Sequence, residues 1–105
     1  MQTSTEAEKQ AALNAAQFMA AAARTAPKTR GMDNIRTLVI DDAATKQRIL
    51  EKMVEIAKRE NRPSCERDAN SIAASPALVV IGVETNPAGL NCGFCGHPTC
   101  ETLEE

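Results

Sequence analysis

The sequence predicts an α/β fold with a long N-terminal helix, a parallel βαβ-type core of two strands, and a short C-terminal cysteine loop and helix. Two apolar runs of strand length, residues 34–40 and 77–83, are separated by a stretch with helical periodicity. A strand-helix-strand order favours a parallel pair joined by a right-handed crossover. Three of the four cysteines lie within residues 92–100, near the end of the chain.

Length and composition fit one small domain. A chain of 105 residues buries roughly 65% of the surface that it exposes when unfolded, so it can build a core without a metal. Because it has two Phe and no Trp or Tyr, that core must consist of aliphatic side chains. We expect residues 1–84 to form the α/β scaffold and residues 85–105 the cluster-binding segment of a single domain that is truncated at its C-terminus.

The first helix is predicted over residues 5–25. Thr5 and Glu8 match a capping box, and the alanines that follow recur with helical spacing. Pro27 is expected to end this helix, since proline disrupts a helix interior.

The core elements follow in order. Residues 34–40 form the first predicted strand, and Asp42 offers an N-cap to a helix over residues 43–60. Ser64 is expected to cap a shorter helix that ends near residue 74. The second strand, residues 77–83, completes a pair that is marginal alone, so we expect further strands from another segment or chain, or helices that cover the pair.

Charge and hydropathy limit the partners. Residues 61–105 carry two basic and six acidic groups, which argues against nucleic acid and anionic membranes and favours a redox partner protein. No run approaches the ~18 apolar residues of a membrane span, and the N-terminus has no signal core. We therefore predict a cytoplasmic protein and leave open whether it is a homo-oligomer. In that reducing compartment, cysteines serve metal or redox chemistry rather than disulfides.

Cys92, Cys95 and Cys100 are the candidate metal ligands. Their spacing is C-x2-C-x4-C, with a glycine after each of the first two. Such glycines tolerate unusual backbone angles and let amide N–H groups approach sulfur. Iron-sulfur clusters ordinarily take four thiolates, and Cys65 is the candidate for the fourth within the chain. Otherwise the site is open, uses another chain or is completed by a further segment. A structural zinc site on the same thiolates stays open.

Several segments resemble an uncharacterised prokaryotic family of ferredoxin-domain-containing proteins. The resemblance runs through residues 22–35, 67–70, 77–83 and 89–100, and it covers the N-terminal part of that family, whose members continue through a further cysteine. The Cys-Gly-x-Cys-Gly-x-Pro-x-Cys element is similar to 4Fe-4S modules of corrinoid and membrane electron-transfer proteins. The resemblance implies that Cys92, Cys95 and Cys100 are ligands of such a cluster. From the cysteine spacing we predict a 4Fe-4S cluster used in one-electron transfer, and we expect an electron-transfer or metal-binding domain more than an enzyme.

A second resemblance is to the first half of nitroreductase-like flavoproteins. It is carried by the N-terminal helix, by Ala26, Pro27, Gly31 and Asn34, by a strand that ends in Asp41 and Asp42, and by residues 75–81. In those proteins basic residues near the loop hold the flavin phosphate. The resemblance implies that Arg24, Lys28 and Arg30 would hold FMN in a flavin-dependent reductase.

Overall fold

The computed structural model describes residues 1–104, and these form a mixed α/β structure. The elements are α1 (Ser4–Thr25), a 3-10 turn (Thr29–Gly31), β1 (Ile35–Ile40), α2 (Ala43–Arg59), α3 (Pro63–Ala73), β2 (Leu78–Val83) and α4 (Cys100–Glu104). The predicted mixed α/β class and the long N-terminal helix are confirmed. Predicted and observed ends of the strands and of the first three helices agree to within one or two residues.

The prediction of a parallel strand pair was wrong. β1 and β2 pair antiparallel, with Ile40 opposite Leu78 and Ile35 opposite Val83. The reason lies in the connection, where α2 and α3 pack against each other as a helical hairpin. Two helices that run in opposite directions return the chain to the end of β1 that it left. β2 therefore starts beside Ile40 and runs backwards, whereas the handedness rule applies to crossovers between parallel strands.

The N-cap of α1 lies two residues before the predicted one. The Glu6 N–H donates to Thr3 Oγ1 at 3.2 Å, and the Thr3 N–H donates to Glu6 Oε2 at 2.8 Å. This reciprocal pair is a capping box, so the box forms at Thr3 and Glu6 and not at Thr5 and Glu8. α1 has the length of a membrane span, but no helix within residues 1–104 is both long and apolar enough to cross a bilayer.

The two middle helices begin differently. The predicted cap of α2 is confirmed, since Asp42 Oδ2 accepts a 2.8 Å hydrogen bond from the Thr45 N–H. α3 instead starts at Pro63, and the N-cap position is Arg62, which makes no capping hydrogen bond with its side chain. The predicted Ser64 cap was therefore wrong, because a proline in the first turn already supplies the required φ and has no N–H to satisfy.

The buried core is small. Within the part of the chain that the structure describes, the buried hydrophobic residues are Ala16, Ile40, Ala57 and Ala69. α1 packs against both strands and α2 against α3, with alanine at the contact of each helix. Small side chains let backbones approach closely but remove little apolar area from water. Large apolar side chains consequently remain at the surface.

Candidate metal centre

Cys92 and Cys95 lie in the irregular segment between β2 and α4, and Cys100 is the first residue of α4. We call residues 91–100 the cysteine loop. Gly93 and Gly96 have φ values of 78° and 87°. A Cβ at either position would meet no atom within 4 Å, so the backbone angle, and not packing, requires glycine there. The expectation that these glycines adopt unusual backbone angles is confirmed. The Gly96 N–H donates to the Gly93 carbonyl at 3.0 Å and closes a turn within the loop.

Asn91 joins the two ends of the cysteine loop. Its side-chain Oδ1 accepts a 2.8 Å hydrogen bond from the Cys100 N–H, and its own N–H donates to Cys100 Sγ at 3.4 Å. An N–H group directed at sulfur stabilises negative charge on that sulfur. The role of Asn91 in closing the loop was not predicted. Its signal was local, since asparagine tolerates positive φ and bonds nearby backbone, and Asn91 has a φ of 50°.

The three loop cysteines lie in one loop, but their side chains are not grouped around one position where a metal ion could bind. All are free thiols; Cys92 and Cys95 are exposed, and Cys100 is half-buried. Within residues 1–104 no three His, Cys, Asp or Glu side chains are grouped so that they could hold one metal ion. The donor set suits soft metals, and the loop is closed at its ends. A metal would still have to draw the exposed thiols toward Cys100.

Cys65, the candidate fourth ligand, belongs to the contact between α2 and α3. Its Sγ donates to the Met53 carbonyl at 3.4 Å, and the residue is half-buried. The side chain therefore has a structural partner on α2. Among the described residues, it forms no metal-binding group with the loop cysteines.

Lys28, one of the three basic residues considered for flavin phosphate, caps the carboxyl end of α1. Its Nζ donates to the carbonyls of Ala23, Arg24 and Ala26 at 2.9, 2.8 and 2.8 Å. The Lys28 side chain is 16% exposed. A positive charge at this end of a helix also interacts favourably with the helix dipole, so Lys28 has a structural role in this position.

Arg24 is also held by this end of α1. Its Nε donates to Asp33 Oδ2 at 2.6 Å, and Lys28 Nζ lies 3.8 Å from Asp33 Oδ1. Arg30 lies in the 3-10 turn with a φ of 59°. Two of the three residues that would bind a phosphate are thus engaged with the protein's own carboxylate and carbonyl groups.

Replacing Lys28 by methionine should lower the free energy of unfolding by about 1–2 kcal/mol, because three carbonyls at the helix end lose a charged donor. Urea denaturation measures the change. Lys9→Met is the matched control at an exposed position of α1, with an expected change within about 0.5 kcal/mol. Equal effects of the two substitutions would contradict the capping role.

Asp33 should make part of the free energy of unfolding depend on pH in the acid range. The hydrogen bond from Arg24 lowers the pKa of Asp33 below its ordinary value of 3.8, and the Ile35 N–H and the charges of Arg24 and Lys28 lower it further. A carboxyl whose pKa is lower in the folded state stabilises above its unfolded pKa, and this contribution is lost as the pH falls through the folded pKa. The free energy of unfolding should therefore decrease as the pH is lowered below 3.8. Replacing Asp33 by asparagine should make this decrease smaller. An Asp33→Asn variant destabilised equally at neutral and acid pH would contradict this.

Comparisons with known proteins add one relative. No family model and no solved structure matches the chain. A protein of Archaeoglobus fulgidus named "Uncharacterized protein" is 36% identical over 92 residues, which are 87% of this chain and 49% of the relative. The chain thus spans about half the length of the curated relative that it matches.

Proposed function

We propose that the chain is a ferredoxin-like domain that binds a 4Fe-4S cluster through Cys92, Cys95 and Cys100 and transfers single electrons. The observation that carries the proposal is the closed cysteine loop: three free thiols between Asn91 and Cys100, with a backbone N–H already directed at Cys100 Sγ. Thiolates hold such clusters, and hydrogen bonds to their sulfurs adjust the reduction potential.

Cluster binding would complete the folding of the loop. Metal sites and their ligand geometry commonly form together, because the ligands must lose protons and converge as the metal binds. Cys92 and Cys95 are exposed, so little packing opposes their movement. Gly93 and Gly96 supply the backbone freedom next to each thiol. Cys100 would be the fixed ligand around which the other two assemble.

The fourth ligand lies outside the loop in this proposal. Cys65 could supply it only after its thiol leaves the Met53 carbonyl. A group from another segment or chain, or a solvent ligand, is compatible with the loop as it stands.

The position of the loop suits exchange with a redox partner protein. Cys92 and Cys95 are exposed, so a cluster would form at the surface, where a docked partner can approach it. We further propose a cytoplasmic location, where thiols stay reduced.

Anaerobic reconstitution with iron and sulfide tests this proposal. The expected product is brown, contains iron and acid-labile sulfide, and gives a paramagnetic signal when reduced. Iron, sulfide, zinc and flavin should also be quantified together in protein purified without added metal. Zinc without sulfide would identify the loop as a structural zinc site, and a yellow protein with bound FMN would favour the nitroreductase-like alternative. A colourless reconstituted product would refute the cluster proposal.

A further inference from the structure

α1 contacts both strands, but several side chains of β2 remain exposed. Ile81 and Val83 are 50% and 69% exposed, whereas Thr37 and Ile35, directly opposite them on β1, are half-buried. Residues that face each other across an antiparallel pair share one face of the sheet. On the other face Val80 is 41% exposed, and Leu38 opposite it on β1 is 63% exposed. β2 is therefore less covered than β1 on the face that carries Ile81 and Val83.

The outer edge of β2 lacks the charged residues and prolines that commonly protect an edge strand. Its sequence, Leu78–Val83, contains no charged residue and no proline, and charges, prolines and bulges are the common protections. The Glu84 N–H donates to the Asn34 carbonyl on the β1 side at 2.8 Å. Because backbone groups alternate in direction along a strand, the N–H and C=O groups of Ile81 and Val83 point away from β1, toward the open edge.

The area of the chain gives the scale of what is uncovered. Its accessible surface is 7927 Å², whereas a folded monomer of this mass exposes about 5,700 Å². The excess of about 2,200 Å² is spread over the whole chain and lies only partly at β2. It exceeds the roughly 800 Å² per partner that a stable interface of standard size buries. The overall extents, 56 × 40 × 19 Å, agree with an open structure.

We propose that β2 pairs antiparallel with β2 of a second copy of this chain across a two-fold axis. The two sheets then form one four-stranded sheet in the order β1-β2-β2-β1, which is an ordinary size for a sheet. A strand that meets itself across a two-fold axis is necessarily antiparallel, and the contact closes after two copies. A second copy suits this edge because β2 carries no charge that would repel itself. The pairing satisfies the outward backbone groups and covers Ile81 and Val83.

A proline substitution on the open edge tests the pairing. Ile81→Pro removes an N–H that β1 does not use, and proline is tolerated in a strand at such positions. Thr37→Pro is the matched control, since by the same alternation the Thr37 N–H points away from β2, toward the outer edge of β1. Sedimentation equilibrium measures the mass, and circular dichroism checks the fold. We expect a dimer for the unmodified chain and for Thr37→Pro, and half that mass for Ile81→Pro.

Val83→Lys is the second variant, in case Ile81→Pro fails to fold, because a lysine on an edge strand opposes pairing. It too should be monomeric. The proposal is overturned if the unmodified chain is monomeric throughout the micromolar range, or if the dimer survives in folded Ile81→Pro and Val83→Lys. A chain that stays monomeric until it meets a polypeptide equivalent to the unmatched half of the Archaeoglobus relative would also overturn it, and would assign the open edge to that polypeptide. None of these outcomes depends on whether the cysteine loop binds a cluster.

Discussion

Serine at Cys92, Cys95 or Cys100 is expected to abolish retention of iron and sulfide after anaerobic reconstitution. Serine keeps the size of the side chain but replaces the thiolate on which iron-sulfur clusters depend. With one of three loop ligands removed, the remaining two cannot hold a cluster at the surface. Iron and acid-labile sulfide per chain, together with the visible absorbance, measure the loss.

Cys65→Ser is the matched control within the chain. A serine hydroxyl can still donate to the Met53 carbonyl, so the contact between α2 and α3 should persist and the cluster should be retained. Loss of the cluster in this variant as well as in the loop variants would identify Cys65 as the fourth ligand. Retention of iron and sulfide by all three loop variants would contradict the assignment of the loop as the cluster site.

Stability measurements separate ligand loss from misfolding. Cys92 and Cys95 are exposed and lie outside the small core. Their serine variants without metal should therefore unfold with a free energy within about 0.5 kcal/mol of the unmodified chain. A large destabilisation would mean that these thiols have a structural role that their exposure does not suggest.

Local signals in the sequence predicted the elements well, but two of the predicted helix caps were wrong. Asp42 was recognised as the cap of α2 because a capping side chain acts on a backbone group three residues away. The capping box of α1 was predicted at Thr5 and Glu8, although Thr3 with Glu6 matches the same pattern. The first pair forms the box, and the helix begins one residue earlier than predicted.

Strand direction depends on the path of the whole connection. Both intervening helices were predicted, but the strands were assigned as if a single helix joined them. Pro63 begins a second helix directly after α2, and that helix returns the chain to Ile40. The packing of α2 on α3 settles this path, and periodicity within either helix does not report it.

In the candidate site, too, the sequence predicted the local features and missed those that depend on the folded chain. The spacing of the cysteines and their glycines is local, and the sequence displays it directly. The ties of Lys28 and Arg24 to the end of α1 depend on how the chain turns after the helix. As a result, two residues considered for flavin phosphate have partners within the protein that composition did not reveal.

Asn91→Gly is expected to weaken iron retention by about 10–100-fold, the usual cost of losing a group that orients a metal ligand. This prediction depends on the proposed cluster. Glycine accepts the positive φ of this position and keeps the backbone N–H directed at Cys100 Sγ. It removes only the Oδ1 that accepts from the Cys100 N–H. The loop then loses the side-chain half of its closure, and the cysteines must be ordered at greater entropic cost.

Two further variants distinguish this role from a general effect on the chain. Asn86→Gly makes the same change outside the cysteine loop, where Asn86 Nδ2 donates to Asn34 Oδ1 at 3.1 Å, and it should retain iron normally. Asn91→Asp keeps an acceptor for the Cys100 N–H but adds a negative charge beside the cluster, so it should retain iron and show a lower reduction potential. Chelator competition and redox titration measure the two effects. If Asn91→Gly held iron as tightly as the unmodified chain, the closure of the loop would come from the backbone alone.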